Sequence, residues 1–412
     1  MTAIPARPGA QTAASVATAA PHFYSEATVF ASMRRLVAGL SGVVIAAILL
    51  ITALLHPAWA GTAGGGLPAF SFPFSQQPLT RYDGGTTKQV GTYNFPVSQG
   101  MAGVYMTLEP GALRELHWHA FAAEWAYVIE GRTRITLTSP EGEVQIADVD
   151  AGGLWYFPRG WGHSIEGLGP GTAKFLLVMN NGMFKEGSTF SITDWIAHTP
   201  LAWVRQDLGL SAAQVQQLPR RQVYISRKPP APGPLAETRP RGQGLRTITP
   251  SHVFNLKAQP PRFAQDGSEL RLASAREFPA SFNMTGAILH LEPGAMRSMH
   301  WHPNADEWQY VLNGSYELSV FAAEGQASVS KLRQGDVGYV PMGYGHALRN
   351  DGNTPTDVLV VFNNGDYQSI NLSEWLASNP TSVVANNLQI PPALADRLPT
   401  RDADFAPARP RP

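Results

Sequence analysis

The chain contains no cysteine. That excludes disulfides, thiolate metal sites and a cysteine nucleophile, while leaving the compartment open. Charge is scarce as well: 15% of residues are charged, and 31 Lys+Arg balance 31 Asp+Glu. Without a net field of either sign, nothing points to nucleic acid or anionic lipid as a partner. What is abundant is glycine and proline, 39 and 34 residues, which favour turn-rich β structure over long helices. An apolar content of 44% is that of a globular protein, and 412 residues suit two domains plus ends.

One long uncharged apolar run is present, Leu36 to Leu55, preceded by Arg34 and Arg35 and followed by Ala58-Trp59-Ala60. A positive region, an apolar core and small residues at −3 and −1 describe an export signal cut after Ala60. A retained membrane anchor is the alternative, since about 20 apolar residues can just span a bilayer. The paired arginines also fit the twin-arginine route for folded proteins. Residues 1–60 are therefore read as an N-terminal extension carrying a signal peptide or an anchor at 36–55. The expected location is the periplasm or outside the cell, with membrane attachment only if the segment is retained.

The rest of the chain says the same thing twice. His117, His119, Glu124 and His163 recur as His300, His302, Glu307 and His346, each displaced by 183 residues. Gly111, Gly131, Pro158, Gly160 and Gly162 recur as Gly294, Gly314, Pro341, Gly343 and Gly345. The repeat divides the chain into a first domain, 67–226, and a second, 246–399. A Pro-rich segment, 227–245, reads as an extended, semi-rigid connector, and 400–412 as a disordered tail.

Within each repeat, runs such as Glu124-Trp-Ala-Tyr-Val-Ile and Glu307-Trp-Gln-Tyr-Val-Leu read as short strands bounded by Gly, Pro, Asn or Asp. Many such strands at close spacing imply an antiparallel sandwich or barrel. Short helices close each half. Thr193 and Ser373 are candidate N-caps, and Ser211 with Gln214 forms a capping-box pattern.

Alternation along a strand points His117 and His119 the same way, and likewise His300 and His302. Glu124 and Glu307 follow after a short loop. His163 and His346 come after Pro-x-Gly-x-Gly turns that can swing them inward. Three imidazoles and a carboxylate suit Mn, Fe, Zn, Ni or Cu and disfavour thiolate-preferring metals. Two such sets in register make each half a metal-binding unit.

These motifs resemble the cupin superfamily. Gly111-x5-His-x-His-x4-Glu-x6-Gly131 and Gly152-x5-Pro-x-Gly-x2-His163 match its two motifs, and the second half matches again through His346 and Asn350. The first half departs by having Gly167 where the family has Asn. Among two-barrel cupins, Arg114-Glu-Leu-His-Trp-His, Trp155-Tyr-Phe-Pro and Thr193-Asp-Trp-Ile-Ala-His-Thr-Pro are similar to the oxalate decarboxylase family. The resemblance implies an all-β fold of two tandem cupin (double-stranded β-helix, jelly-roll) barrels with short peripheral helices. It further implies two Mn(2+) per chain, dioxygen as cofactor, conversion of oxalate to formate and carbon dioxide, and a trimer or hexamer.

It also assigns roles. Arg114 and Arg297, each three residues before the first histidine, would pair with a substrate carboxylate. Glu186 would be the proton donor of a mobile lid, Phe184 to Phe190. That lid departs from the family's Ser-Glu-Asn-Ser through Lys185 and Gly187, and glycine adds backbone freedom. The second half, at Asn363-Asn-Gly-Asp-Tyr-Gln, has no matching glutamate, which places the chemistry in the first half and leaves the second metal structural or auxiliary, with a second active site at Arg297 as the alternative. Oxalate oxidase and an exported manganese-storage protein are the rival readings.

Overall fold

Alternating apolar and polar positions give short strands throughout a computed structural model that describes residues 67–228, 230–401 and 403–406. The export or anchor segment expected at 1–60 lies outside the described residues. Among the described residues, no helix is long and apolar enough to cross a membrane. Strands dominate, and every pairing between named strands is antiparallel. Each half forms one seven-stranded and one six-stranded sheet. In the first, Glu124–Glu130 lies centrally in the larger sheet, between Gly153–Phe157 and Ala173–Met179, while Ala112–Trp118 and Gly162–Leu168 are neighbours in the smaller. The second half repeats this with Glu307–Asn313 between Val337–Val340 and Thr356–Phe362, and Met296–Trp301 beside Gly345–Arg349.

The two barrels trade edge strands. Ser71–Phe72, at the head of the first repeat, pairs with Val337 and Gly338 of the second barrel. Val253–Asn255, at the head of the second, pairs with Gly153–Trp155 of the first. Each exchange covers a sheet edge that would otherwise present bare N–H and C=O groups. The repeat boundaries 67–226 and 246–399 therefore do not coincide with the sheets.

A pseudo-twofold contact joins the barrels. Trp125 packs on Gly286, and its repeat partner Trp308 packs on Gly103; a Cβ on either glycine would stand within 2.3 Å of the indole. Both tryptophans are fully buried, in one core that draws side chains from both halves. Each indole withdraws roughly 200 Å² from water, on the order of 5 kcal/mol of hydrophobic free energy.

Within the connector, Arg134 Nη1 donates to Gly233 O (3.0 Å) and Thr238 Oγ1 (2.7 Å), fastening those residues to the first barrel. Two local expectations change. The expected disordered tail contains a strand, Phe405–Ala406, paired with Arg297 and Met296, with Phe405 buried. The helix caps also shift. Ser191 rather than Thr193 caps Ile192–His198, because the Thr193 hydroxyl is spent on Glu115. Asn371 rather than Ser373 occupies the cap position of Leu372–Ala377, and Ser373 Oγ instead accepts from Ala403 N. The Ser211–Gln214 capping box forms as read.

Candidate metal centres

The antiparallel register sets His163 opposite His117 and His346 opposite His300. His119 and His302 stand one alternation further, and Glu124 and Glu307 begin the next strand. The four ligand atoms of His117, His119, Glu124 and His163 lie within 4.8 Å of one another, as do those of His300, His302, Glu307 and His346. All eight residues are buried.

The environment prepares them for metal. His117 Nδ1 faces Glu115 O (2.6 Å) and His163 Nδ1 faces Trp161 O (2.9 Å). In the second centre, Ser298, Gln368 and Tyr344 carbonyls serve His300, His302 and His346 in the same way. A ring that donates through Nδ1 keeps its lone pair on Nε2, aimed inward. Burial, reinforced by the Arg114 charge, holds His117 well below the usual imidazole range, and burial lowers His163 likewise. His300 and His302 are lowered by burial too. Burial pushes the Glu124 and Glu307 carboxyls up, but the imidazoles beside them outweigh it and leave both well below the ordinary carboxylate range. Neutral imidazoles beside an ionised carboxylate are the metal-binding state. His163 Nε2 makes no hydrogen bond, with Glu124 Oε2 lying 3.6 Å away. A divalent ion with nitrogen and oxygen ligands fits this donor set.

The acid in each centre is fixed by a different residue. Trp155 Nε1 donates to Glu124 Oε1 at 2.9 Å. In the second centre Gln309 Nε2 donates to Glu307 Oε1 at 2.6 Å, and Gln309 in turn accepts from the Tyr316 hydroxyl. These are not repeat-equivalent positions. Gly338 matches Trp155, and Ala126 matches Gln309. A Cβ on Gly338 would come within 2.3 Å of Gln309 Oε1. Each barrel has thus placed its large residue where the other has a small one.

A bulge brings the arginines in. Three residues separate His117 from Arg114, which strict alternation would put on opposite faces. The register advances two residues on the partner strand, from His163 to Ile165, against three here. The extra residue flips the facing, and Arg114 ends fully buried on the side of His117. The same shift occurs between Arg297 and His300.

Around the arginines the two halves part. Arg114 Nη2 donates to Glu186 Oε2 at 3.4 Å, its guanidinium lies 4.0 Å over the Tyr224 ring, and its buried Nη1 has no hydrogen-bond partner. Glu186 is buried, and it accepts a short hydrogen bond from the Tyr224 hydroxyl. Its backbone N–H donates to Gln89 Oε1 (2.9 Å), and neighbouring Phe184 lies edge-on to His119. Lys185 turns outward, its ammonium 5.0 Å from the Tyr93 ring centre. Arg297, by contrast, donates to Asn371 Oδ1, Asp404 O and Ser369 Oγ, and lies 3.4 Å from Asp404 Oδ1. Sequence reasoning missed Tyr224, Gln309 and Asp404, and it read Trp155 as part of a family motif without its bond to Glu124. Tyr224 has a positive φ of 64° and no motif to mark it.

The model of the cupin family matches residues 72–216 and 254–395. The chain is 38% identical over 337 residues to the oxalate decarboxylase OxdC of Bacillus subtilis, covering 82% of this chain and 86% of that protein. It is 28% identical over 340 residues to a probable oxalate decarboxylase of Arthroderma benhamiae, covering 82% and 83%. A solved structure of the B. subtilis oxalate decarboxylase, studied for its Mn(II) centres, superposes with a TM-score of 0.78 at 37% identity, covering 83% of this chain and 89% of that one.

Proposed function

The chain belongs to the bicupin oxalate decarboxylase family of the cupin superfamily, and from that premise we propose that its first barrel converts oxalate to formate and carbon dioxide. The observation that carries this is Arg114, a buried guanidinium with an unpartnered Nη1, set between the His117 cluster and the lid acid Glu186. Leaving a buried donor unsatisfied costs about 1–3 kcal/mol, and a substrate carboxylate removes that cost. A planar guanidinium presents two parallel N–H groups to one carboxylate.

The reaction breaks the bond between the two oxalate carbons. One carbon leaves as carbon dioxide, and the other takes up one proton to become formate. Glu186 supplies that proton, held toward the arginine by the Tyr224 hydroxyl. The closed lid excludes water from the protonation step. Bound manganese, with dioxygen as cofactor, supplies reversible withdrawal of one electron from the substrate, so no net oxidation occurs.

Two further properties belong to this proposal. Assembly into a trimer or hexamer is supported by an exposed aromatic cluster in which Phe190 stacks on Trp118, with Trp195 edge-on to the same ring and 64% exposed. Contiguous apolar patches of this kind mark interaction surfaces. Export, or anchoring by residues 36–55, rests on the sequence pattern alone.

Purified protein loaded with manganese is expected to release formate and carbon dioxide in equal amounts from oxalate. Hydrogen peroxide without formate makes it an oxidase. Two bound metals without turnover make it a storage protein, the reading to which the lid's departures at Lys185 and Gly187 lend weight.

A further inference from the structure

The second barrel contains the same inward arginine, yet its surroundings are built to satisfy it from within the chain. Two short strands dock on the strand that bears each arginine. In the first barrel they are Phe190–Ser191, opposite Trp118 and His117, and Ile225–Arg227, with Ile225 opposite Arg114. In the second they are Ile370–Asn371, opposite Trp301 and His300, and Phe405–Ala406, with Phe405 opposite Arg297. Register therefore makes Asn371 the counterpart of Ser191, and Asp404 the counterpart of Tyr224. Ser191 caps a helix and Tyr224 offers Arg114 only its ring face. Asn371 and Asp404 both turn polar atoms on Arg297.

We propose that the second barrel holds a latent site for a small carboxylate, occupied by the chain's own Asp404. The Asp404 carboxylate sits 3.4 Å from Arg297 Nη1 and accepts from Asn371 Nδ2 at 3.3 Å, while the Asp404 carbonyl takes a 2.7 Å bond from the same Nη1. The Arg297 side chain is 3% exposed and that of Asp404 is 17% exposed, so the pair is closed off but borders solvent from the tail side. Those two donors, guanidinium and amide, are the groups that would grip a free carboxylate. The paired strand Phe405–Ala406 tethers the internal carboxylate. A tethered group acts at an effective concentration in the millimolar range, enough to exclude a free anion of modest affinity. The arginine of the first barrel meets its own internal carboxylate, Glu186, through Nη2 alone and keeps Nη1 open.

The test is a calorimetric titration of manganese-loaded full-length protein with oxalate, in a Glu186→Gln background so that bound oxalate is not consumed. The inference rests on the oxalate reading only for the count at the first barrel. One oxalate per chain is expected with Asp404 intact, and two with Asp404→Asn. Adding Arg297→Gln should return the count to one. Binding of none with Asp404 and one without it supports the latent site while sinking the first-barrel reading. Two oxalates with Asp404 intact, or no gain in Asp404→Asn with both metals bound, overturns the inference. If Asp404→Asn loses its second metal through misfolding, Asp404→Ser, which keeps a hydroxyl for Asn371, carries the same comparison.

Discussion

The two barrels share every metal ligand and differ in what reaches the arginine beside them. In the first, the arriving groups are a lid acid and a tyrosine ring, and one guanidinium N–H stays open. In the second they are an asparagine and an aspartate, and the guanidinium is engaged from within the chain. The difference teaches that the repeated motifs specify a metal centre, whereas segments outside them specify what the centre is for. Those segments are Phe184–Phe190, the strand after Tyr224, and the tail at Asp404.

The sharpest way to break the comparison is to delete one centre at a time. His117→Ala and His300→Ala should each lower bound manganese from two to one per chain, measured by elemental analysis. Formate release should vanish in the first variant and persist in the second. Equal loss in both, with the remaining metal retained, would mean that the barrels act together.

A smaller effect is expected at Tyr224→Phe, which keeps the ring under Arg114 but removes the hydroxyl from Glu186. Hydrogen bonds to charged groups contribute about 1.5–3 kcal/mol, so kcat should fall by about tenfold or more with KM for oxalate little changed. A rise in KM alone would assign Tyr224 to the substrate rather than to the lid.

The supports of the two carboxylates separate the centres in another way. Removing a hydrogen bond behind a metal ligand weakens affinity about 10- to 100-fold. Trp155→Phe should therefore weaken manganese at the first centre only, and Gln309→Leu at the second only, as read by metal titration.

The slightest difference concerns pH. In the second barrel His290 bonds Asp357 (2.7 Å) and lies 3.5 Å from Glu292, where the first barrel has Thr107. Burial lowers the His290 pKa, but Asp357 and Glu292 outweigh it and raise the folded value above 6.5. Its stabilising contribution is accordingly complete below 6.5 and is lost as pH rises through the folded value. His290→Gln should flatten that part of the stability profile, followed by denaturant unfolding; an unchanged slope would remove the pair from the account.

Ligands two residues apart on a strand, spaced again in a second copy, were readable because alternation is local and the repeat confirms it. The antiparallel barrel was readable for the same reason. What was not readable depends on partners far along the chain. The bulge that turns Arg114 inward shows only in its register against Ile165. Trp155 and Gln309 do one job from non-equivalent positions, so comparing the halves residue by residue hides them. The tail looked disordered because its Pro-rich composition says nothing about the open strand edge at Arg297 that receives Phe405. Thr193 and Ser373 carry the right chemistry for caps, but their hydroxyls are claimed by Glu115 and the Ala403 N–H.

The central claim is that the proton donor of the first barrel, rather than either metal centre alone, makes the protein a decarboxylase. Formate release by Glu186→Gln, measured beside wild type with manganese counted in both, tests it most directly. A positioned general acid contributes about 10²- to 10⁴-fold. The account predicts a loss of at least about 100-fold with two manganese ions still bound. Undiminished formate release from the fully loaded variant would contradict it.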